Sequence, residues 1–136
     1  MPLRVLIADN DLESVEKTKE CLSKNKVEVV VSAVYDGDNL MDLLRSDTKN
    51  LPQLMLVNTS IPVEGGLKAL EEIKKDDLFR KIPIIIISTS PTPGDVEKAY
   101  DLGASCFVIK PAGTEEWCEK IEKIGRFWTD FVRVPQ

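Results

Sequence analysis

The sequence predicts a single α/β domain built on a five-stranded parallel sheet with helices on both faces. Short apolar runs alternate five times with amphipathic, helix-period segments, the pattern of a doubly wound sheet. Several of the runs are apolar at successive positions rather than at alternate ones, as strands buried on both faces must be. Polar residues gather immediately after the runs, as Asp9, Asn10 and Asp11, as Asn58 to Ser60, as Ser88 to Ser90, and as Lys110 with Pro111. Those strand ends are where such sheets hold ligands.

Leu3 to Ala8 is the first expected strand, bounded by Asp9, Asn10 and Asp11. From Leu12 to Leu22, the residues Leu12, Val15, Thr18, Cys21 and Leu22 recur at helical spacing among lysines and glutamates, which predicts an amphipathic helix. Valine-rich Val27 to Ala33 is the second strand; Asp36 and Gly37 signal a turn before a short helix carrying Leu40, Met41, Leu43 and Leu44. Leu54 to Val57 is the third strand and ends at Asn58. A loop from Pro62 to Gly66 precedes a helix marked by Leu67, Leu70 and Ile73.

Ile84 to Ile87 is the most hydrophobic run and the fourth strand. Beyond a loop with Pro91, Pro93 and Gly94, Val96, Ala99 and Leu102 line a helix ended by Gly103, a residue suited to the left-handed C-terminal position. Ser105 to Ile109 is strand five. The last helix is expected to begin at Thr114 as N-cap, without a capping box because Trp117 stands three residues on; its buried stripe is Trp117, Ile121, Ile124 and Trp128. Five strands in 136 residues favour the flavodoxin-like order 2-1-3-4-5 over a Rossmann winding. The domain is expected over residues 1–128, with 129–136 a C-terminal tail.

Composition removes several function classes. A formal charge of −5 and a pI near 4.8 oppose binding to nucleic acid or to anionic membrane. No basic segment leads into an apolar run and no stretch is long enough to span a bilayer, so the expected compartment is the cytoplasm. Histidine is absent, which takes away the usual general base and the commonest metal ligand. The cysteines Cys21, Cys106 and Cys118 are odd in number and widely spaced; they are read as small buried or half-buried hydrophobes ahead of metal ligands or disulfides. The first turn, Asp9 to Ser14, has no glycine to admit a pyrophosphate, which weighs against a nucleotide-binding module.

The order and spacing of the strand-end residues bring a family into view. Over nearly its whole length the chain resembles bacterial two-component response-regulator receiver domains of the CheY-like kind. The segment from Ile82 to Phe127 and Trp128 is similar to the small single-domain regulators that partner cyanobacterial phytochrome kinases. The resemblance places Asp9 and Asn10 on the family's acidic pair, Asn58 on the phosphoacceptor aspartate, Ser88 on the hydroxyl position, and Lys110 with Pro111 on the lysine and its customary cis proline. It also places Ser60 where a backbone carbonyl ligates the metal, Pro62 and Gly66 on the loop's proline and glycine, and Phe107 on the aromatic switch position.

An aspartyl carboxylate attacks phosphorus while magnesium, held by carboxylates, neutralises the phosphoryl oxygens. The amide of Asn58 has no anionic oxygen with which to form an acyl phosphate, and Asn10 offers a cation only a neutral carbonyl. Asp9 remains, while Asp11 is shifted by one residue. The expectation is therefore a pseudo-receiver: a non-enzymatic, phosphorylation-independent signalling module with no cofactor and with weak or lost Mg2+ binding at Asp9, Asn10 and Ser60. Lys110 is placed to pair with Asp9 and Asn58. The rival reading is an active receiver whose acceptor at position 58 has been replaced. Expected partners are a sensor histidine kinase or another signalling protein, and a second copy of the chain through Phe127, Trp128, Phe131 and Val132. Those four put more apolar surface at the chain end than one helix face hides.

Overall fold

The computed structural model describes residues 2–24, 28–62 and 65–135. Its elements run β1 (Leu3–Ala8), α1 (Leu12–Leu22), β2 (Val29–Val34), α2 (Gly37–Ser46), β3 (Leu54–Asn58), α3 (Gly66–Lys75), β4 (Ile84–Ser88), α4 (Pro93–Asp101), β5 (Cys106–Ile109) and α5 (Thr114–Arg126). A π-helical turn, Phe127–Phe131, continues α5. All strand pairs are parallel and the order is β2-β1-β3-β4-β5, the flavodoxin-like order read from the sequence.

Strand side chains point alternately to the two faces, so apolar runs feed two cores at once. Leu6, Ala8, Met55, Val57, Ile84 and Ile86 pack on one side with Leu40 and Leu44 of α2, Leu70 and Ile73 of α3, and Ala99 of α4. Val5, Ile7, Leu54, Leu56, Ile85 and Ile87 pack on the other with Val15 and Leu22 of α1 and Trp117 and Ile121 of α5. The helices thus divide into α2, α3 and α4 on one face and α1 with α5 on the other. Across the second face the Trp117 indole N–H donates to Thr18 Oγ1 at 3.0 Å, giving the buried ring's polar atom its partner.

Several boundaries differ from the sequence expectations for local reasons. Asp36 is the N-cap of α2, accepting from the Asn39 amide at 2.7 Å, so the turn signal opens the helix directly. Pro93 and Gly94, assigned to a loop, form the first turn of α4, because Thr92 and Asp95 make a capping box and proline fits a first helical position. Thr114 is the first residue of α5 and not its cap; Gly113 occupies the cap without a side-chain bond. Gly103 sits at φ 104° just past α4, as expected of a residue ending a helix in the left-handed region. Leu12, counted in the apolar stripe of α1, is exposed. The expected start of β2 at Val27 lies outside the described residues, as do Val63 and Glu64 of the expected loop.

The cysteines require the largest correction. Cys21 on α1 and Cys118 on α5 are joined in a disulfide, with Cα atoms 5.3 Å apart, and only Cys106 is free. The two are 97 residues apart in sequence and become neighbours only because the sheet order brings α1 and α5 side by side. Cys106 is half-buried, and burial pushes its thiol pKa up.

Candidate functional site

The strand register makes the polar strand ends level. Ala8 pairs with Val57, Asn58 with Ile87, and Ser88 with Ile109, so Asp9, Asn58, Ser88 and Lys110 all fall at the carboxyl edge of the sheet. Asp9, Asn58 and Ser88 are buried. The backbone knits this edge together: the amide of Asp9 donates to Val34 O at 3.1 Å, that of Thr59 to Ile87 O at 2.9 Å, and that of Lys110 to Ser88 O at 2.9 Å.

Within the pocket, Asn58 Oδ1 accepts from the Ser60 amide at 2.9 Å and from the Ser60 hydroxyl at 2.8 Å. The same hydroxyl lies 3.4 Å from Asn10 Oδ1. Ser60 therefore links the two amide side chains that stand where the resemblance expects carboxylates. Asp9 Oδ1 accepts the Asp11 amide at 3.0 Å. Asp11 turns away to cap α1, accepting from the amides of Glu13 and Ser14 at 3.1 and 3.3 Å.

Lys110 does not enter the pocket. Its ammonium donates to the hydroxyl of Ser14 on α1 and stands 5.6 Å from the Trp117 ring centroid, a cation–π distance. The expected pairing with Asp9 and Asn58 is absent among the described contacts; the ammonium is taken up by the Ser14 hydroxyl and the Trp117 ring. The Lys110–Pro111 bond, expected to be cis, is trans, the form X–Pro bonds favour by roughly 0.5–1 kcal/mol. Ser14 is a site residue that sequence reading missed; nothing in its spacing distinguishes it from other polar residues on a helix. Phe107 is half-buried against the α2–α3–α4 core, and its amide donates to the Tyr100 hydroxyl at 3.2 Å.

A magnesium ion asks for several oxygen ligands, with anionic ones dominating the energetics. This edge offers the Asp9 carboxylate, the amides of Asn10 and Asn58, and the backbone of Ser60, and Asn58 Oδ1 already accepts two hydrogen bonds. No group of three or more acidic, histidine or cysteine side chains could hold a metal among the described residues. That donor set fits a divalent cation poorly.

A doubly wound sheet in this strand order, with polar residues gathered at its carboxyl edge, is the architecture of the receiver class of signalling domain. A family model, the response regulator receiver domain, matches residues 5–122, and the chain belongs to that family. It is 23% identical to the response regulator Rcp1 of Synechocystis over 98% of this chain and 94% of that one. It is 29% identical to a probable methanogenesis regulatory protein, FilR2, of Methanothrix harundinacea over 74% of this chain and 66% of that one. Among solved structures, the phosphorylated cyanobacterial phytochrome response regulator RcpA superposes with a TM-score of 0.94 at 26% identity, covering 100% of both chains. No helix among the described residues is long and apolar enough to cross a membrane.

Gly66 ties the pocket to α3. A Cβ there would overlap the carbonyl oxygen of Asn58 and come within 3.0 Å of its carbonyl carbon. An exposed helical Gly→Ala change ordinarily stabilises by roughly 0.5–1 kcal/mol. Gly66→Ala is expected instead to destabilise by about 1–3 kcal/mol in urea unfolding, whereas Gly94→Ala, whose Cβ would meet only Thr92 Oγ1 at 3.8 Å, follows the ordinary rule.

Proposed function

We propose that this receiver domain signals by protein contact, independently of phosphoryl transfer to position 58. The observation that carries the reading is the Asn58–Ser60–Asn10 linkage: the nucleophile and one cation-binding carboxylate are both replaced by amides, and the Ser60 hydroxyl lies between their two carbonyl oxygens, donating at 2.8 Å to Asn58. Loss at two positions serving one cation is better explained by disuse of the chemistry than by a change at the acceptor alone. The solved relative RcpA is described as phosphorylated, and Rcp1 as Mn2+-bound; here two of the groups that would support either state, at positions 10 and 58, are neutral amides. The module is a non-enzymatic cytoplasmic component of a two-component pathway, and its partner is a sensor histidine kinase or another signalling protein.

The contact surface is the α4–β5–α5 face or the chain end. Tyr100 and Ile109 on that face are exposed. Phe127 is 53% exposed and Phe131 78%, while Trp128 packs against the core beside α5. The Phe127 ring meets Trp128 edge-on at 6.0 Å and Phe131 at 6.1 Å. The π turn sets this cluster: the Val132 amide reaches back to Phe127 O at 3.2 Å, and the Thr129 hydroxyl donates to Gly125 O at 2.8 Å. Such turns recur at functional sites, and an aromatic cluster left in water favours a second copy of the chain.

Incubation with acetyl phosphate and magnesium is expected to leave the protein's mass unchanged; a stable gain of one phosphoryl group on any pocket residue would show an active receiver instead. Sedimentation at micromolar concentration is expected to find a dimer that Phe131→Ala weakens by on the order of 1–3 kcal/mol. Wild type and variant sedimenting alike as monomers would rule the homodimer out.

A further inference from the structure

The disulfide between α1 and α5 lies outside the pocket, and its surroundings differ for the two sulfurs. Cys21 is 0% exposed and Cys118 is 8% exposed. The Lys24 ammonium, on the exposed turn that ends α1, lies 3.7 Å from Cys118 Sγ. A cation beside a sulfur stabilises its thiolate, and the thiolate is the form that exchanges. Both sulfurs are buried, but unequally: Cys118 keeps slight exposure and has a cation beside it, whereas Cys21 is sealed. The two helices are also held together without the covalent bond, by the Trp117–Thr18 hydrogen bond and by Val15, Leu22 and Ile121 in their shared core. The sulfurs would therefore stay close after reduction and could close again.

We propose that Cys21 and Cys118 form a thiol–disulfide exchange site for small-molecule thiols and disulfides, with Cys118 reacting first and Cys21 resolving. In the oxidising direction the Cys118 thiolate attacks one sulfur of a small disulfide, forming a mixed disulfide and releasing one small thiolate. Cys21 attacks Cys118 Sγ and expels the second small thiolate, which carries off the Cys21 proton and leaves as a thiol. The small disulfide takes up the two electrons and leaves as two thiols. Reduction runs the same path backwards: a small thiolate enters at Cys118, the less buried sulfur, and Cys21 departs. The linkage fixes the root of α5, two helical turns before the aromatic chain end, so the redox state of the pair sets how firmly α5 is held to α1. This inference stands whether or not position 58 accepts a phosphoryl group.

The experiment equilibrates the full chain with reduced and oxidised glutathione in varied ratio, quenches it, alkylates the free thiols and maps them by peptide mass spectrometry. The wild type is expected to show the Cys21–Cys118 link under oxidising ratios and its loss under reducing ones, with Cys106 never joined to either. Reduced Cys21→Ala is expected to accumulate glutathione at Cys118, whereas reduced Cys118→Ala leaves Cys21 unmodified. Replacing Lys24 by methionine in the Cys21→Ala background is expected to slow the reaction at Cys118 by roughly threefold or more. Failure of the wild type to form the link under any ratio would overturn the proposal. Glutathione appearing on Cys21 as fast as on Cys118, or a rate unaffected by Lys24→Met, would overturn the assigned order.

Discussion

Two-sided burial of β1, β3 and β4 is the constraint on which the rest of the molecule depends. Leu54, Met55, Ile84, Ile85 and Ile86 are all 0% exposed, so the central strands can exist only between two helical layers. Parallel pairing then requires a helix between successive strands, and the crossovers place α1 and α5 together on one face. From that single arrangement follow the level strand ends, the buried Trp117–Thr18 hydrogen bond and the meeting of Cys21 with Cys118. None of these contacts is local in sequence; each is a product of sheet order.

The same architecture fixes where chemistry can occur and leaves its nature to the side chains at the edge. In a phosphoacceptor pocket, clustered carboxylates repel one another and need a cation and a lysine to be stable. Here two of those positions, 10 and 58, carry neutral amides. Asp9 is the carboxylate that remains of the three positions, and the Lys110 ammonium bonds Ser14 and stands over Trp117. The Lys110 ammonium thus links the end of β5 to α1 through Ser14.

Much of this was legible in the sequence, because strand identity and strand-end chemistry are local properties. The apolar runs gave β1, β3 and β4 within a residue, and Asp9, Asn58 and Ser88 stand at the ends of those strands as read. Misread features were those settled by partners distant in the chain or by capping geometry. Thr92 and Asp95 start α4 earlier than Pro93 and Gly94 suggest, since a capping box outweighs the turn signal of the two residues it precedes. Lys110 took a partner on another helix, and the 97-residue separation of the disulfide left no spacing motif to find. Phe127 and Phe131, in contrast, were expected at the surface from their crowding at the chain end, and both are exposed.

The central claim is that two neutral amides, at 10 and at 58, have removed the charge a divalent cation requires. Magnesium titration by calorimetry, comparing wild type with Asn10→Asp, Asn58→Asp and the double variant, tests it most directly. No saturable binding is expected in the wild type at low millimolar concentration, and the double variant is expected to gain more than the two single changes combined, because the restored carboxylates share one ion. Tight magnesium binding by the wild type, or full recovery from Asn58→Asp alone, would contradict it.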